Sequence, residues 1–152
     1  MDHVAAKVKV IGIGAGGHAK VVVDILQCAG THELVGLLDD NASLTGSTVL
    51  GIPVLGTTSE LSRLKQSGVA GAFVGVGSTG DSATRRRIFD TLVEHGFELI
   101  SALHPQACVA SSVAHPPGLT VMAGAIVNPG VKFGQNVIIN TGAVVDHDCV
   151  IE

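Results

Sequence analysis

Neither tryptophan nor tyrosine occurs in these 152 residues, and aromatic side chains supply only 3% of them. The core must therefore be packed from Val, Ile, Leu, Ala and Gly. Charge is scarce as well: charged residues make up 14% of the chain and leave a net charge of −4, without long runs of one sign. That excludes the basic footprint of a nucleic-acid binder or of a membrane-surface helix. Long apolar runs are missing too. No signal-type apolar segment follows Met1 to Lys9, and no stretch approaches the roughly 20 residues needed to span a bilayer. A soluble, cytoplasmic protein with no membrane insertion is expected. Cysteine is limited to Cys28, Cys108 and Cys149, an odd number without CxxC spacing. This is neither a disulfide framework nor a zinc or redox motif, and the three read as small buried hydrophobes. No metal is expected.

What the sequence has is glycine, twenty of them, in a chain that is 46% apolar. The length allows one ordinary domain or two small ones on a prior of about 150 residues per domain. The first hundred residues alternate strand and helix. Val8 to Ile13 reads as a β-branched strand running into Gly14-Ala15-Gly16-Gly17, and His18 to Ala29 carries helical apolar spacing up to Gly30. Leu34 to Leu38 is a second strand ending at Asp39-Asp40, and Asn41 to Gly51 reads as a surface loop. Ser59 is placed to cap a short helix from Glu60 to Gln66. Ala72 to Val76 is a buried strand, Gly77 to Asp81 a turn, Ala83 to His95 a helix and Phe97 to Ile100 a last strand. Alternation of this kind predicts a parallel sheet with right-handed crossovers, a small Rossmann-like layer.

Gly12, Gly14 and Gly17 fit G-x-G-x-x-G, with the acidic pair Asp39-Asp40 about twenty residues on, as in a dinucleotide fold. Taken alone, this points to NAD(P). Physically the turn is less specific: small residues let backbone N–H groups and a helix N-terminus approach a phosphate. The same glycines could merely permit a tight turn. His18 could equally be a polar residue at the helix start or a ligand contact.

From Val109 onward the period changes to six: VASSVA, HPPGLT, VMAGAI, VNPGVK, FGQNVI, INTGAV, VDHDCV. The first and fifth columns together hold fifteen residues, of which fourteen are apolar and His115 is the exception. The fourth column holds Ser112, Gly118, Gly124, Gly130, Asn136, Gly142 and Asp148, residue types that tolerate turns or left-handed backbone. Two inward columns and a turn column predict a parallel β-helix of stacked coils. The sixth column faces outward yet holds Ile126, Ile138, Val144 and Val150, a stripe that a soluble monomer would avoid, so a closed homo-oligomer is expected.

Taken together, Gly14 to Lys20, Leu37 to Asp40, Gly75-Val76-Gly77 with Arg85 downstream, His104-Pro105 and Ile139 to Cys149 resemble the bacterial sugar acyltransferases of the NeuD/PglD type. The resemblance covers essentially the whole chain. It implies an α/β plus β-helix fold, with a Rossmann-like nucleotide-sugar domain over residues 1–104 and the first coils of a left-handed hexapeptide β-helix over residues 105–152. It also implies a homotrimer. The implied reaction moves acetyl from acetyl-CoA to the 4-amino group of a nucleotide-linked deoxysugar, in surface glycan biosynthesis. The alternatives are O-acetylation of a sialic acid or other sugar, a non-catalytic nucleotide-sugar module, and an NAD(P)-binding Rossmann protein.

Carried over by position, Gly16, Gly17, His18, Asp39, Asp40 and Gly77 become substrate contacts, His147 the general base and Asp148 the carboxylate that raises its basicity. The chemistry agrees with the last two, since imidazole is matched to proton transfer near neutral pH and a neighbouring carboxylate favours imidazolium. Standing beside the turn column, His147 is expected to point out from a coil corner toward a neighbouring subunit. His3, His32, His95, His104 and His115 read as solvated histidines. The family continues through further coils carrying the acetyl-CoA contacts, whereas this sequence ends at Glu152. A shortened chain is therefore expected, in which nucleotide-sugar binding survives better than catalysis.

Overall fold

The computed structural model describes residues 6–78 and 81–152. His3, and Thr79 and Gly80 of the expected turn, lie outside the described residues. Strand β1 (Val8–Ile13) ends in four buried residues and is flanked by β2 (His32–Leu38) and β5 (Gly71–Val74), both parallel to it. Between β1 and β2 runs α1 (Gly17–Ala29), which buries Ala19, Val22, Val23, Ile25 and Leu26 as one stripe. It stops at Gly30, whose backbone φ of 64° needs no Cβ and whose N–H closes on the Leu26 carbonyl at 2.9 Å.

The stretch Asn41 to Gly51, read as loop, contains structure. After a short 3₁₀ turn at Ala42–Leu44, β3 (Thr48–Val49) folds back antiparallel on β4 (Ile52–Gly56). The two-residue link Leu50-Gly51 has φ of 48° and 80°, both positive as a tight hairpin requires. Strand β4 then lies parallel to β2. Pro53 masks it in sequence, because proline argues against a strand except near an edge, and β4 is next to the edge. The expected cap at Ser59 does not form. A 3₁₀ turn over Thr58–Glu60 leads into α2 (Leu61–Gln66), and Ser59 bonds instead to the Thr57 hydroxyl at 2.8 Å. Helix α3 (Ala83–Glu94) and β6 (Glu98–Leu99) complete the layer, whose strand order is β3-β4-β2-β1-β5-β6. All pairs except the β3–β4 hairpin are parallel, as the alternating pattern predicts.

The remainder is a three-sided stack of two-residue parallel strands: β7 (Ala102–Leu103), β8 (Cys108–Val109), β9 (Thr120–Val121), β10 (Ile126–Val127), β11 (Lys132–Phe133), β12 (Ile138–Ile139), β13 (Val144–Val145) and β14 (Val150–Ile151). They form three sheets, β7-β9-β12, β8-β10-β13 and β11-β14. Every pair is offset by eighteen residues, Ala102 on Thr120, Thr120 on Ile138, Ile126 on Val144 and Lys132 on Val150, so one circuit is three hexads. All fourteen apolar residues of the two inward columns pack in one cluster inside the stack. Leu103 and Ala107 join it, so the coil begins one hexad before Val109. At the corners, Gly118, Gly124, Gly130, Asn136, Gly142 and Asp148 all take positive φ, between 59° and 78°.

Two side chains depart from expectation on the surface. Cys28 and Cys108 are exposed, and only Cys149 turns partly into the coil core. His104, read as solvated, is 10% exposed, held where α1 meets the coil.

The two layers share a core. Val22, Val23, Ile25 and Leu26 of α1 pack with Ala102, Met122 and Ile138 of the coil. The amino-terminal layer therefore covers the β7-β9-β12 face. This explains why Thr120 and Ile138 of the sixth column are shielded while Ile126, Val144 and Val150, on the other two faces, are 42%, 67% and 64% exposed.

Candidate functional site

The strand order reverses between β1 and β5, so the loops leaving their carboxyl ends diverge and open a crevice there, the place where parallel α/β layers bind ligands. The glycines around that crevice divide by cause. A Cβ at Gly12 would collide with Phe73, and one at Gly14, where φ is 110°, would stand 2.8 Å from the Gly75 carbonyl. Those two glycines are required by the protein's own packing. Gly16 and Gly17 are not: nothing lies within 4 Å of a Cβ built on either, and neither has a positive φ. They leave open space at the amino end of α1, whose first turn has no side-chain cap and no acidic residue. Unpaired N–H groups beside open space are an anion cradle.

Asp39, Asp40 and Gly14 line one cavity of about 290 Å³ with Thr58, Thr84 and Arg87. Both carboxylates are already engaged. Asp39 accepts from the Ala15 N–H and the Asn41 N–H, each at 2.9 Å, and so ties the glycine turn to the end of β2. Asp40 accepts from the Thr58 N–H at 3.0 Å and the Thr58 hydroxyl at 2.7 Å, bonds that hold its carboxyl below the usual range.

His18 sits in the first turn of α1, with Gly77 beside it: a Cβ on Gly77 would lie 3.5 Å from that of His18. Its Nε2 is 3.4 Å from Nη1 of Arg85, a side chain only 3% exposed. Burial foremost, and then that guanidinium, pushes the His18 pKa down to about 4. Arg85 donates to the carbonyls of Val74, Val76, Gly118 and Asn136, thereby joining the end of β5 to the corners of the coil. No carboxylate faces it among the described residues, and burial draws its pKa down to about 10. The sequence marks this role only faintly: Arg85 begins the buried stripe Arg85, Phe89, Leu92 of α3, where an apolar side chain would be the default.

His147 and Asp148 stand together at an exposed corner. His147 Nδ1 lies 2.8 Å from Asp148 Oδ2, and the His147 N–H donates to Asp146 Oδ1 at 2.7 Å. The bond to Asp148, followed by the charge of Asp146, raises the His147 pKa. Asp148 has φ 59° and its carboxylate lies over Gly130, where a Cβ would strike Asp148 Oδ1.

The two groups of expected site residues are not brought together within one chain. Arg85 and Phe89 occupy the corner at Gly118 and Asn136. Lys20, Val21 and Asp24 of α1 lie by the next corner, at Ala123 and Thr141. The corner at Gly130 and Asp148 is the third, opposite the covered face. Among the described residues no hydrogen bond, ion pair or common cavity links it to the cradle.

Asp24, Cys28 and His104 also converge, with ligand-type atoms within 4.8 Å of one another. His104 Nδ1, however, accepts the Gln106 N–H at 3.0 Å, so Nε2 carries the hydrogen and turns toward Asp24. The usual metal-binding histidine is arranged the other way, donating from its second nitrogen. No helix among the described residues is long and apolar enough to cross a membrane.

Comparison with known proteins gives a match over residues 9–92 to the family model described as the PglD N-terminal domain. Among solved structures, PerB from Caulobacter crescentus, in complex with CoA and GDP-perosamine, is 40% identical with a TM-score of 0.85, covering 93% of this chain and 64% of its own. A mutant of perosamine N-acetyltransferase from the same organism, with the same ligands, is 39% identical at the same TM-score and coverage. The acetyltransferase domain of PglB from Neisseria gonorrhoeae, in complex with acetyl coenzyme A, is 39% identical with a TM-score of 0.83, over 95% of this chain and 67% of that domain. The chain thus spans about two thirds of the length of these proteins.

Proposed function

Because the chain belongs to the PglD N-terminal domain family, we propose that it serves an acetyl-CoA-dependent N-acetyltransferase acting on a nucleotide-linked 4-amino-deoxysugar. The observation that carries this reading is the His147–Asp148 pair. With Nδ1–H held by Asp148 Oδ2, the lone pair of His147 is on Nε2, on an imidazole exposed to an incoming substrate. Nε2 takes a proton from the sugar amine as its nitrogen attacks the thioester carbonyl of acetyl-CoA. A C–N bond forms, the C–S bond breaks, and the proton passes on to the departing thiolate. Raised basicity from Asp148 and Asp146 favours the first transfer.

The cradle formed by Gly16 and Gly17, with His18 and Gly77 at its edge, would hold the diphosphate, and the cavity at Asp39 and Asp40 the nucleoside. The residues before β7 would form the nucleotide-sugar module and the stack from β7 (Ala102–Leu103) onward coils of a left-handed β-helix, a boundary slightly earlier than the expected one after residue 104, in a cytoplasmic enzyme of glycan biosynthesis. Since His147 stands at the corner opposite its own cradle, the sugar would come from the cradle of a second copy. The apolar faces carrying Ile126, Val144 and Val150 would seal a homotrimer.

The test is thiol release from acetyl-CoA by the full-length protein with GDP- or UDP-linked 4-amino-deoxysugars, GDP first because the Caulobacter protein was solved with GDP-perosamine. Turnover is expected with one of them and not with the sugars lacking the amine. A His147→Ala variant that keeps the parent rate would end the base assignment.

A further inference from the structure

The other histidine of interest, His18, has a neighbour whose chemistry favours one arrangement of its protons. Arginine has donors and no acceptor. The two hydrogens of Arg85 Nη1 serve three acceptors, Val76 O at 2.8 Å, Val74 O at 3.2 Å and, in a longer shared contact, His18 Nε2 at 3.4 Å. Beside a group that cannot accept, Nε2 is favoured as the nitrogen with the lone pair. A neutral imidazole then carries its hydrogen on Nδ1. That nitrogen has no hydrogen-bond partner among the described residues, and it lies 3.8 Å from where a Cβ of Gly77 would stand, beside the gap that glycine leaves. Arg85 is itself fixed, by four backbone carbonyls from β5, the following loop and two coil corners.

We propose that Arg85 is a positioning residue for His18, holding it as the uncharged Nδ1–H tautomer so that it offers a single oriented N–H donor at the edge of the glycine cradle. The acceptor, on the nucleotide-sugar reading above, is an oxygen of the diphosphate or of the sugar. An uncharged donor there selects by direction. It adds no full positive charge to a site already bordered by the partial positive charge of a helix N-terminus. Burial and the single facing cation, Arg85 from α3, act in the same sense by disfavouring imidazolium. Arg85 does not touch the substrate. It acts through His18, and because it also grips Asn136 and Gly118, the aim of that donor is referenced to the coil.

The test is two-bond ¹⁵N–¹H correlation spectroscopy of the histidine-labelled full chain at neutral pH. The expected result is a His18 spectrum with Nδ1 protonated and Nε2 bare, unchanged down to about pH 5. A His18 with Nε2 protonated, or one titrating near 6.5, would overturn the proposal. Arg85→Lys and Arg85→Met, checked for folding by circular dichroism, are expected to release the tautomer and restore titration toward the ordinary range. A merely structural role for Arg85 would leave the tautomer in place. Addition of UDP and of GDP supplies a second readout. The Nδ1–H resonance should shift on binding, His18→Ala should weaken binding about tenfold, and His18→Asn, whose amide nitrogen replaces Nδ1, should stay within about threefold of the parent. A nucleotide that binds without moving His18 overturns the donor role. If neither nucleotide binds, the nucleotide-sugar reading fails, while the tautomer still decides the role of Arg85.

Discussion

His18 and His147 are the same side chain set in opposite surroundings. His18 is half-buried at the head of α1 with a guanidinium on its Nε2, which keeps it neutral and leaves Nδ1–H as its free end. His147 is exposed at a coil corner with carboxylates around it, which favours its cation and leaves Nε2 as its free end. One is thereby made a donor and the other an acceptor. The lesson is that the role of an imidazole is set by what occupies its other nitrogen, and here that occupant differs in sign.

The contrast can be broken most forcefully at His147. On the base role proposed above, replacement by Ala should lower the acetyl-transfer rate of the full-length protein by about 10² to 10⁴-fold, the usual worth of a general base. Thermal stability above neutral pH should change little because the side chain is exposed, so a rate loss accompanied by unfolding there would count against the assignment. Replacing Arg85 by Met should act on stability instead. It strands the carbonyls of Val74, Val76, Gly118 and Asn136, and a loss on the order of 3 kcal/mol is expected in urea unfolding. Asp148→Asn sharpens the comparison without disturbing the backbone, since asparagine accepts the left-handed φ of 59°. It should cost roughly tenfold in rate and move the acid limb of the pH–rate profile to lower pH, because the His147 cation loses its partner.

Smallest in effect is the pH dependence of folding, where the two histidines should pull in opposite directions. His18 has a folded pKa of about 4, below the ordinary 6.5, so the unfolded chain binds the extra proton. Its contribution is complete above 6.5 and declines as pH falls toward 4. His147 has a raised folded pKa, so its contribution is present below 6.5 and disappears as pH rises through the raised value. Stability curves of His18→Asn and His147→Gln, measured from pH 4 to 8, should flatten in different halves of that range.

The coil was the most legible part of the sequence. Its period is short and rigid, each hexad contributes the same two inward positions, and a side chain out of register would face the wrong way. The corner histidine was legible for the same reason, since its place beside the turn column follows from the count. The amino-terminal layer was legible at β1 and α1 and obscure at β3 and β4, where Pro53 and a two-residue turn through Leu50 run against local preference. Arg85 was marked by the family resemblance, but its role was hidden because that role is tertiary. Its partners are carbonyls up to fifty-one positions away in sequence, and a carbonyl leaves no mark on a sequence. The acidic pair follows the end of β2 as the pattern implied, but nothing in the sequence says that Asp39 and Asp40 spend oxygens on Ala15, Asn41 and Thr58.

The constant offset of eighteen residues between stacked strands has a consequence for how such a chain can change over generations. Duplication or loss of whole circuits leaves every remaining residue on its own side and every corner above another corner, whereas a change of coil length that is not a multiple of eighteen rotates all that follows. Extent along the stack is thus free to drift by inheritance in whole steps, and the chemistry at each vertex travels with it.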